Sequence, residues 1–261
     1  MLKEWTKTPL RMAVLALGVV AALALFYLEN PWANPVGDLR NLTTWVFWIA
    51  SIALLVGLYL ERKDAPESDT VQIEGPAFAR FLFNNTRAGL FWLPIRLFVG
   101  FAWLEAGWHK FNDPAWVNGG SALLGYWKNA VNIPAAPARP SITFEWYRDF
   151  LTFLINGHHE GWFALLITFG EMAVGLGILF GALTGIAAFF GAFMNMSFLL
   201  AGSASTNPIM FTFAIGLILA WKVAGYYGVD RYLLPALGVP WRPGVLVERM
   251  RHPAAPHPAT S

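Results

Sequence analysis

The sequence has 261 residues, a formal net charge of +2, a hydrophobic fraction of 56% and a charged fraction of only 13%. Soluble domains carry about 25% charged residues, so this composition and a mean hydropathy of +0.48 predict a membrane protein. Cysteine is absent, which excludes disulfides, covalently attached c-type haem, cysteine-ligated iron–sulfur clusters and thiolate catalysis. No basic tract with interleaved aromatic residues indicates a nucleic-acid partner.

Two apolar segments near the N-terminus predict the first two membrane spans. The run 12–28 follows three basic residues, as the core of a signal peptide would. It is long for such a core and no small-residue cleavage site follows it, so we expect an uncleaved span. The run 42–60 would measure about 28 Å as a helix and cover the hydrocarbon core. Residues 1–62 are therefore assigned to two N-terminal spans, and 63–87 to a polar connector.

The segment 90–111 predicts a third span with charged residues at membrane depth. At about 100° per residue, five residues would share one face of this helix: Arg96, Gly100, Trp103, Gly107 and Lys110. Glu105 and His109 would lie on the opposite face, one turn apart. A charge in the bilayer costs roughly 2.5–3.5 kcal/mol on insertion scales, so it usually persists only where it is paired or used.

The polar region 111–160 is too long for a bare loop. We expect two helices in it, 120–130 and 142–155, the second being an interfacial amphipathic helix with Ser141 as its N-cap. Together with the apolar segments that follow, this predicts an insert on one side of the membrane.

Residues 161–204 carry a single charge, Glu171. One helix of that length would measure about 66 Å, so two helices with a turn at 181–185 are predicted. A further span should run from Pro208 to about Ala224.

These segments predict an all-α integral membrane protein with about six transmembrane helices. Two N-terminal spans precede a four-helix core at 88–226, and a tail follows at 227–261.

The distribution of Lys and Arg predicts the orientation of these spans. With the N-terminus inside, the inner segments hold twelve basic residues: Lys3, Lys7, Arg11, Arg62, Lys63, Arg80, Arg87, Lys222, Arg231, Arg242, Arg249 and Arg251. The outer segments hold five: Arg40, Lys110, Lys128, Arg139 and Arg148. This asymmetry places both termini in the cytoplasm and the insert outside. We expect the membrane to be the plasma (inner) membrane.

Glu171 is the sharpest candidate for a functional residue, because an unpaired ionised carboxylate near the midplane is untenable. The long side chain of Arg96 could climb to it, and Asn195 lies at nearly the same depth on the next helix. We expect Arg96, Glu171 and Asn195 to converge and treat them as candidate catalytic residues. Two readings stay open: a quinone or proton site, and a purely structural polar clamp between helices.

Four residues near the predicted outer surface are candidates for substrate binding: Trp103, Lys110, Glu105 and His109. The alternative is an ordinary interfacial belt with a snorkelling lysine. The run His158-His159-Glu160 suggests a metal site, but adjacent side chains diverge and no other histidine is close in sequence. We therefore expect no bound metal.

Three motifs, in order along the chain, resemble the DoxX superfamily: RLFVGFAWLEAGWHKFNDPAW, GEMAVGLGILFGALTGIAAFFGAFMNMSFLLAGSASTNP and WKVAGYYGVDRYLLPALG. The long outer segment and YYGVDRYLLP make the chain most similar to the DoxD branch, the large membrane subunit of thiosulfate:quinone oxidoreductase. The resemblance covers roughly residues 88–238. The matching motif positions are Arg96, Gly100, Gly107, Lys110, Glu171, Gly175, Asn195 and Lys222.

The resemblance implies a four-helix core that passes electrons from thiosulfate or another reduced sulfur anion to a membrane quinone. Because the chain lacks cysteine, such chemistry would proceed directly or through a small partner subunit. The alternative is a non-catalytic accessory or assembly subunit of a larger respiratory or photosynthetic membrane complex. A small transporter is less favoured, since no inverted repeat of broken helices is visible.

Overall fold

The computed structural model describes residues 9–29, 37–64 and 75–238. Of these residues, 79% are helical and none lies in a β-strand, which confirms the all-α class. The chain separates into two compact units, Met1–Glu74 and Gly75–Ser261. Most of the predicted tail, residues 239–261, lies outside the described residues.

The first unit contains a pair of packed helices, α1 (Pro9–Glu29) and α2 (Gly37–Asp64). A Cβ built at Gly57 would lie 2.7 Å from Cγ2 of Val14, so glycine allows the two helices to approach closely here. Ala21 and Ala50 are buried, whereas the large side chain of Trp45 is exposed. This distribution suits a helical hairpin with its bulky residues in lipid.

The second unit contains nine helices among its described residues, and one 3₁₀ turn, Thr86–Ala88. They are, in chain order, α3 (Ala77–Asn84), α4 (Gly89–Phe111), α5 (Pro114–Val117), α6 (Ser121–Val131), α7 (Glu145–Asn156), α8 (Glu160–Phe180), α9 (Thr184–Leu200), α10 (Asn207–Leu219) and α11 (Asp230–Leu237). The two helices predicted in the insert are thus present as α6 and α7. Ser141 is not the N-cap of α7, because the helix begins at Glu145 and its N-cap is Phe144.

Four helices form a bundle in which α4 packs on α8, α8 on α9, α9 on α10 and α10 on α4. The contact between α4 and α8 is made through glycine. A Cβ at Gly100 would lie 2.7 Å from the backbone nitrogen of Leu179, and one at Gly175 would lie 2.5 Å from that of Leu104. Backbone therefore meets backbone, and this fixes how far the two antiparallel helices slide along each other.

Three helical stretches are long and apolar enough to cross a membrane, namely Asp38–Leu60, Thr86–Phe111 and Glu160–Phe180. Three other apolar helical stretches among the described residues are shorter: Met12–Leu25, Thr184–Leu200 and Asn207–Leu219. The helix α10 ends at Leu219 rather than near Ala224, and its 13 residues measure about 20 Å, less than a bilayer core of about 30 Å. The structure therefore supports a membrane protein, and six spans remain a prediction.

Residues 112–159, which include α5, α6 and α7, form a cap that packs against one end of the bundle. Its buried core includes Leu123, Trp127 and Leu151, and it is continuous with Ala164 of α8 and Ala201 just after α9. The insert predicted from the sequence is therefore a folded layer over the bundle and not a loop.

The predicted turn at 181–185 is confirmed. Helix α8 ends at Phe180, and Gly181 adopts the left-handed conformation with φ of 66° that favours glycine. Leu183 is also left-handed, with φ of 50°, immediately before α9 starts at Thr184. A non-glycine residue holds this conformation only where its surroundings impose it.

A buried ion pair and its neighbours as the candidate functional site

The centre of the candidate site is an ion pair between Lys110 of α4 and Glu171 of α8. The Nζ atom of Lys110 donates to both carboxylate oxygens of Glu171, at 2.9 Å to Oε1 and 2.7 Å to Oε2. The side chain of Glu171 is 1% exposed and that of Lys110 is 18% exposed. The ring of Trp116, in the cap, lies 5.0 Å from Nζ of Lys110. Glu171 is thus sealed in the protein, and Lys110 lies between it and the cap.

The close contact between α4 and α8 explains why these two residues meet. A Cβ at Gly107 would lie 2.7 Å from Cγ of Met172 and 3.1 Å from the backbone oxygen of Thr168. Lys110 follows Gly107 by one helical turn, and Glu171 precedes Met172. The backbones are therefore close enough for the lysine to reach the carboxylate without extending into solvent.

Three buried side chains on the inner faces of α4, α8 and α9 carry polar atoms without a hydrogen-bond partner among the described residues. They are Nε1 of Trp103, Oγ1 of Thr168, and both Oδ1 and Nδ2 of Asn195. Thr168 and Asn195 are 0% exposed and Trp103 is 3% exposed. Buried polar groups without partners cost free energy, so a cluster of them calls for an explanation.

These polar groups lie at the level of the ion pair. Thr168 is one turn before Glu171 on α8. On α9, Met194 precedes Asn195, and its sulfur lies 3.8 Å from the Cβ position of Gly170. Nε1 of Trp103 lies 2.9 Å from the Cβ position of Gly191, one turn from Asn195. The bundle interior thus combines a charge pair with free donors and acceptors.

The predicted convergence of Arg96 with Glu171 is wrong. Arg96 is 2% exposed, but its guanidinium donates to the backbone oxygens of Ala224, at 3.1 Å, and Tyr227, at 2.9 Å. It lies beside the turn after α8, near Gly181. Glu171 is about 15 Å from that end of its helix by helical rise, too far for this guanidinium.

Arg96 instead belongs to a second buried polar cluster, centred on Asp230, which the sequence reasoning missed. Oδ1 of Asp230 accepts from the backbone nitrogen of Leu183 at 2.6 Å. Oδ2 accepts from the backbone nitrogen and the hydroxyl of Thr184, at 3.0 and 2.6 Å. The motif YYGVDRYLLP contained the aspartate, but only the fold brings it to the start of α9.

The remaining candidates for substrate binding lie apart from this centre. Glu105 and His109 face outward on α4, with side chains 57% and 77% exposed and with Oε1 of Glu105 3.9 Å from Nε2 of His109. Trp103 and Lys110 share one face of α4, as the helical spacing predicted, and in the structure that face points into the bundle. Among the described residues, no group of three or more His, Asp or Glu side chains could hold a metal ion.

A cavity of about 570 Å³ lies between α8, α9 and the cap helices α6 and α7. It is lined by apolar and aromatic side chains of α6, α7, α8 and α9, including Gly170, Val174 and Met194. Cγ1 of Val174 lies 3.1 Å from the Cβ position of Gly191, which Nε1 of Trp103 also approaches. One layer of side chains therefore separates the cavity from the polar interior.

No protein-family model matches the chain, and no curated protein and no solved structure is significantly similar to it. The resemblance to the DoxX superfamily accordingly stays a hypothesis.

Proposed function

We propose that this protein is the membrane subunit of a quinone-reducing oxidoreductase, passing electrons from thiosulfate or another reduced sulfur anion to a membrane quinone. The observation that carries the proposal is the buried Lys110–Glu171 pair next to the unpartnered Trp103 Nε1 and Asn195 side chain. Quinone carbonyls accept hydrogen bonds, and both an indole N–H and an amide NH₂ can donate them.

The ion pair offers a relay for the protons that quinone reduction requires, and water supplies those protons. A quinone that takes up two electrons also takes up two protons to become a quinol. The carboxylate of Glu171 can accept a proton and pass it to a quinone oxygen in such a step. The ammonium of Lys110 would stabilise the negative charge that develops on the quinone oxygen as electrons arrive.

The identity of the electron donor is inferred more from the resemblance to the DoxX superfamily than from the geometry of the site. The charge of Lys110 is offset by Glu171 and is therefore a weak attractor for an external anion. We place the oxidation of the sulfur anion at the cap, where the quinone site is nearest to solvent, or on a small partner subunit bound there. Neither arrangement requires a cysteine in this chain.

The finer features of the fold belong to the same proposal. We place the chain in the plasma membrane with six spans, both termini in the cytoplasm and the cap outside, and assign it to the DoxX superfamily. The order of the apolar helices and the twelve-to-five asymmetry in basic residues support this orientation.

A quinone reduction assay tests the function. Membranes that contain the full chain should reduce a water-soluble quinone analogue when thiosulfate is added. Glu171→Gln should abolish that rate, while Glu105→Gln, which alters an exposed carboxylate on the neighbouring helix, should leave it unchanged. If thiosulfate and sulfite both fail to drive reduction with copurifying partners present, the proposal is wrong.

One observation favours a second function, that of a non-catalytic accessory or assembly subunit. Lys110 already satisfies both oxygens of Glu171, so the pair would serve equally as a structural clamp. In that case deletion of the chain should lower the amount of a larger respiratory or photosynthetic complex, and Glu171→Gln should act only through stability.

A further inference from the structure

The cavity beside the polar interior is elongated along the membrane helices. On α8 its wall runs from Phe163 to Gly177, which corresponds to a rise of about 21 Å along the helix axis. A volume of about 570 Å³ over that length leaves room for a long, narrow molecule. The volume is typical of small-molecule sites, which range from about 300 to 1,000 Å³.

Small residues create this space. Gly170, Ala173 and Ala187 line the cavity. A Cβ at Gly170 would have only one neighbour within 4 Å, the sulfur of Met194 at 3.8 Å. The backbone there would accept a larger side chain, so the space is a property of the sequence that a substitution can remove.

The cavity opens toward the side of the bundle that faces lipid. Leu166, Ile186 and Phe193 line it and are 58%, 56% and 64% exposed. Its outer end lies under the cap, where the hydroxyl of Tyr147 donates to the backbone oxygen of Ser197 at 2.8 Å. An apolar chain could therefore enter from the bilayer without crossing water.

We propose that this cavity holds the prenyl tail of the quinone, an inference that rests on the proposed function. The wall formed by Val174 and Met194 is shared with the polar interior, so a ring bound near Trp103 and Asn195 has its tail beside this space. An apolar lining excludes a charged head group, and the elongated form suits one extended chain. In this arrangement the polar interior binds the quinone ring, and the cavity adds specificity for the tail.

Paired binding measurements test this assignment on the full chain in lipid nanodiscs. The ligands are a benzoquinone with a prenyl tail and the same ring without a tail, and the quantity compared is the ratio of their Kd values. The wild type should prefer the tailed quinone by about tenfold or more, because each buried methylene adds affinity. Gly170→Leu should fill the cavity and weaken the binding of the tailed quinone only. The two Kd values should then become similar.

Two further variants guard against misfolding and nonspecific effects. Ala173→Leu fills the same cavity from another position and should give the same loss of tail preference. Leu176→Phe enlarges an exposed α8 residue that does not line the cavity, and should keep the wild-type ratio.

The outcomes separate the inference from the function. A tail preference that survives both cavity-filling variants overturns the inference and leaves the quinone function standing. A phospholipid acyl chain retained by the wild type but not by Gly170→Leu, without any tail preference, also overturns it. Failure of the wild type to bind either quinone defeats the proposed function itself.

Discussion

Lys110 and Glu171 lie 61 residues apart in the sequence, and the lysine ammonium contacts both oxygens of the glutamate within the helical bundle. The pair joins α4 to α8 where the two backbones are in close contact. The other acid–base pair on α4, Glu105 and His109, is 3.9 Å apart and largely exposed, so it should contribute little to stability.

Removal of one member of the buried pair should destabilise the protein more than removal of both. Lys110→Met leaves a carboxylate buried alone, and Glu171→Gln leaves an ammonium without its counter-charge. Breaking such a pair costs about 3–5 kcal/mol in soluble proteins and less in a bilayer, where water and snorkelling relieve the charge. Thermal unfolding in detergent should show each single variant less stable, with part of the loss recovered in the double variant.

Lys128→Met provides a matched control for that cycle, because Lys128 is an exposed lysine of the cap. It should change the unfolding temperature little. Additive effects of the Lys110 and Glu171 substitutions would show that the two residues are not coupled. The activity of the double variant separates the two functions. If the pair is only a structural clamp, the double variant regains activity together with stability. If the pair belongs to a quinone site, stability returns and activity stays lost.

The sequence predicted most of the helices but not which basic residue of α4 pairs with Glu171. Apolar run lengths and glycines predicted the helices, the cap helices and the turn after Phe180. Arg96 and Lys110 both lie on the inner face of α4, about 21 Å apart along the helix, and either could have met Glu171. The choice depends on how far α4 slides against α8, which the backbone contacts of Gly100 and Gly107 determine. Those contacts exist only once both helices are packed.

A methyl group at the α4–α8 contact should test this dependence directly. Gly100→Ala places a Cβ 2.7 Å from the backbone nitrogen of Leu179, where no flexible side chain can give way. Overpacking of this kind costs about 1–3 kcal/mol. Gly125→Ala on α6 adds the same methyl group where no atom beyond its chain neighbours and its own helical backbone lies within 4 Å, and should stabilise by about 0.5–1 kcal/mol. Equal unfolding temperatures for the two variants would contradict the packing described.

Tyr147 in the cap should make the protein sensitive to alkali. Burial, with a smaller effect of the neighbouring Tyr126, raises the pKa of Tyr147 from 10.0 to about 12. The folded state thus keeps a proton that the unfolded state loses, so the stabilisation is complete below pH 10 and disappears as the pH passes 12. Unfolding temperatures measured from pH 9 to 12 should fall, and Tyr147→Phe should flatten that slope.

Tyr232→Phe is the control for the alkaline experiment, since Tyr232 is 73% exposed. Its profile should follow that of the wild type. A slope as steep in Tyr147→Phe as in the wild type would assign the sensitivity to another group.

Asp230 should be the residue that holds the turn between α8 and α9. Its carboxylate accepts three hydrogen bonds, from the backbone nitrogen of Leu183 and from the backbone nitrogen and hydroxyl of Thr184. Asp230→Asn replaces one acceptor oxygen by a donor, so at least one of these N–H or O–H groups then faces another donor. Each hydrogen bond to a charged group contributes about 1.5–3 kcal/mol, and these bonds hold the turn in which Leu183 keeps a φ of 50°.

Asp230→Asn should therefore lower the unfolding temperature clearly and speed amide hydrogen exchange at 181–184. Thr184→Val removes only the hydroxyl bond and should have a smaller effect, and Asp149→Asn, at an exposed position in the cap, should have almost none.

Since Arg96 holds the backbone that leads into Asp230 through Ala224 and Tyr227, Arg96→Met and Asp230→Asn should destabilise less together than the sum of their separate effects. Additive losses, or exchange at 181–184 that does not change, would show that Asp230 does not hold this turn and that Arg96 acts independently of it.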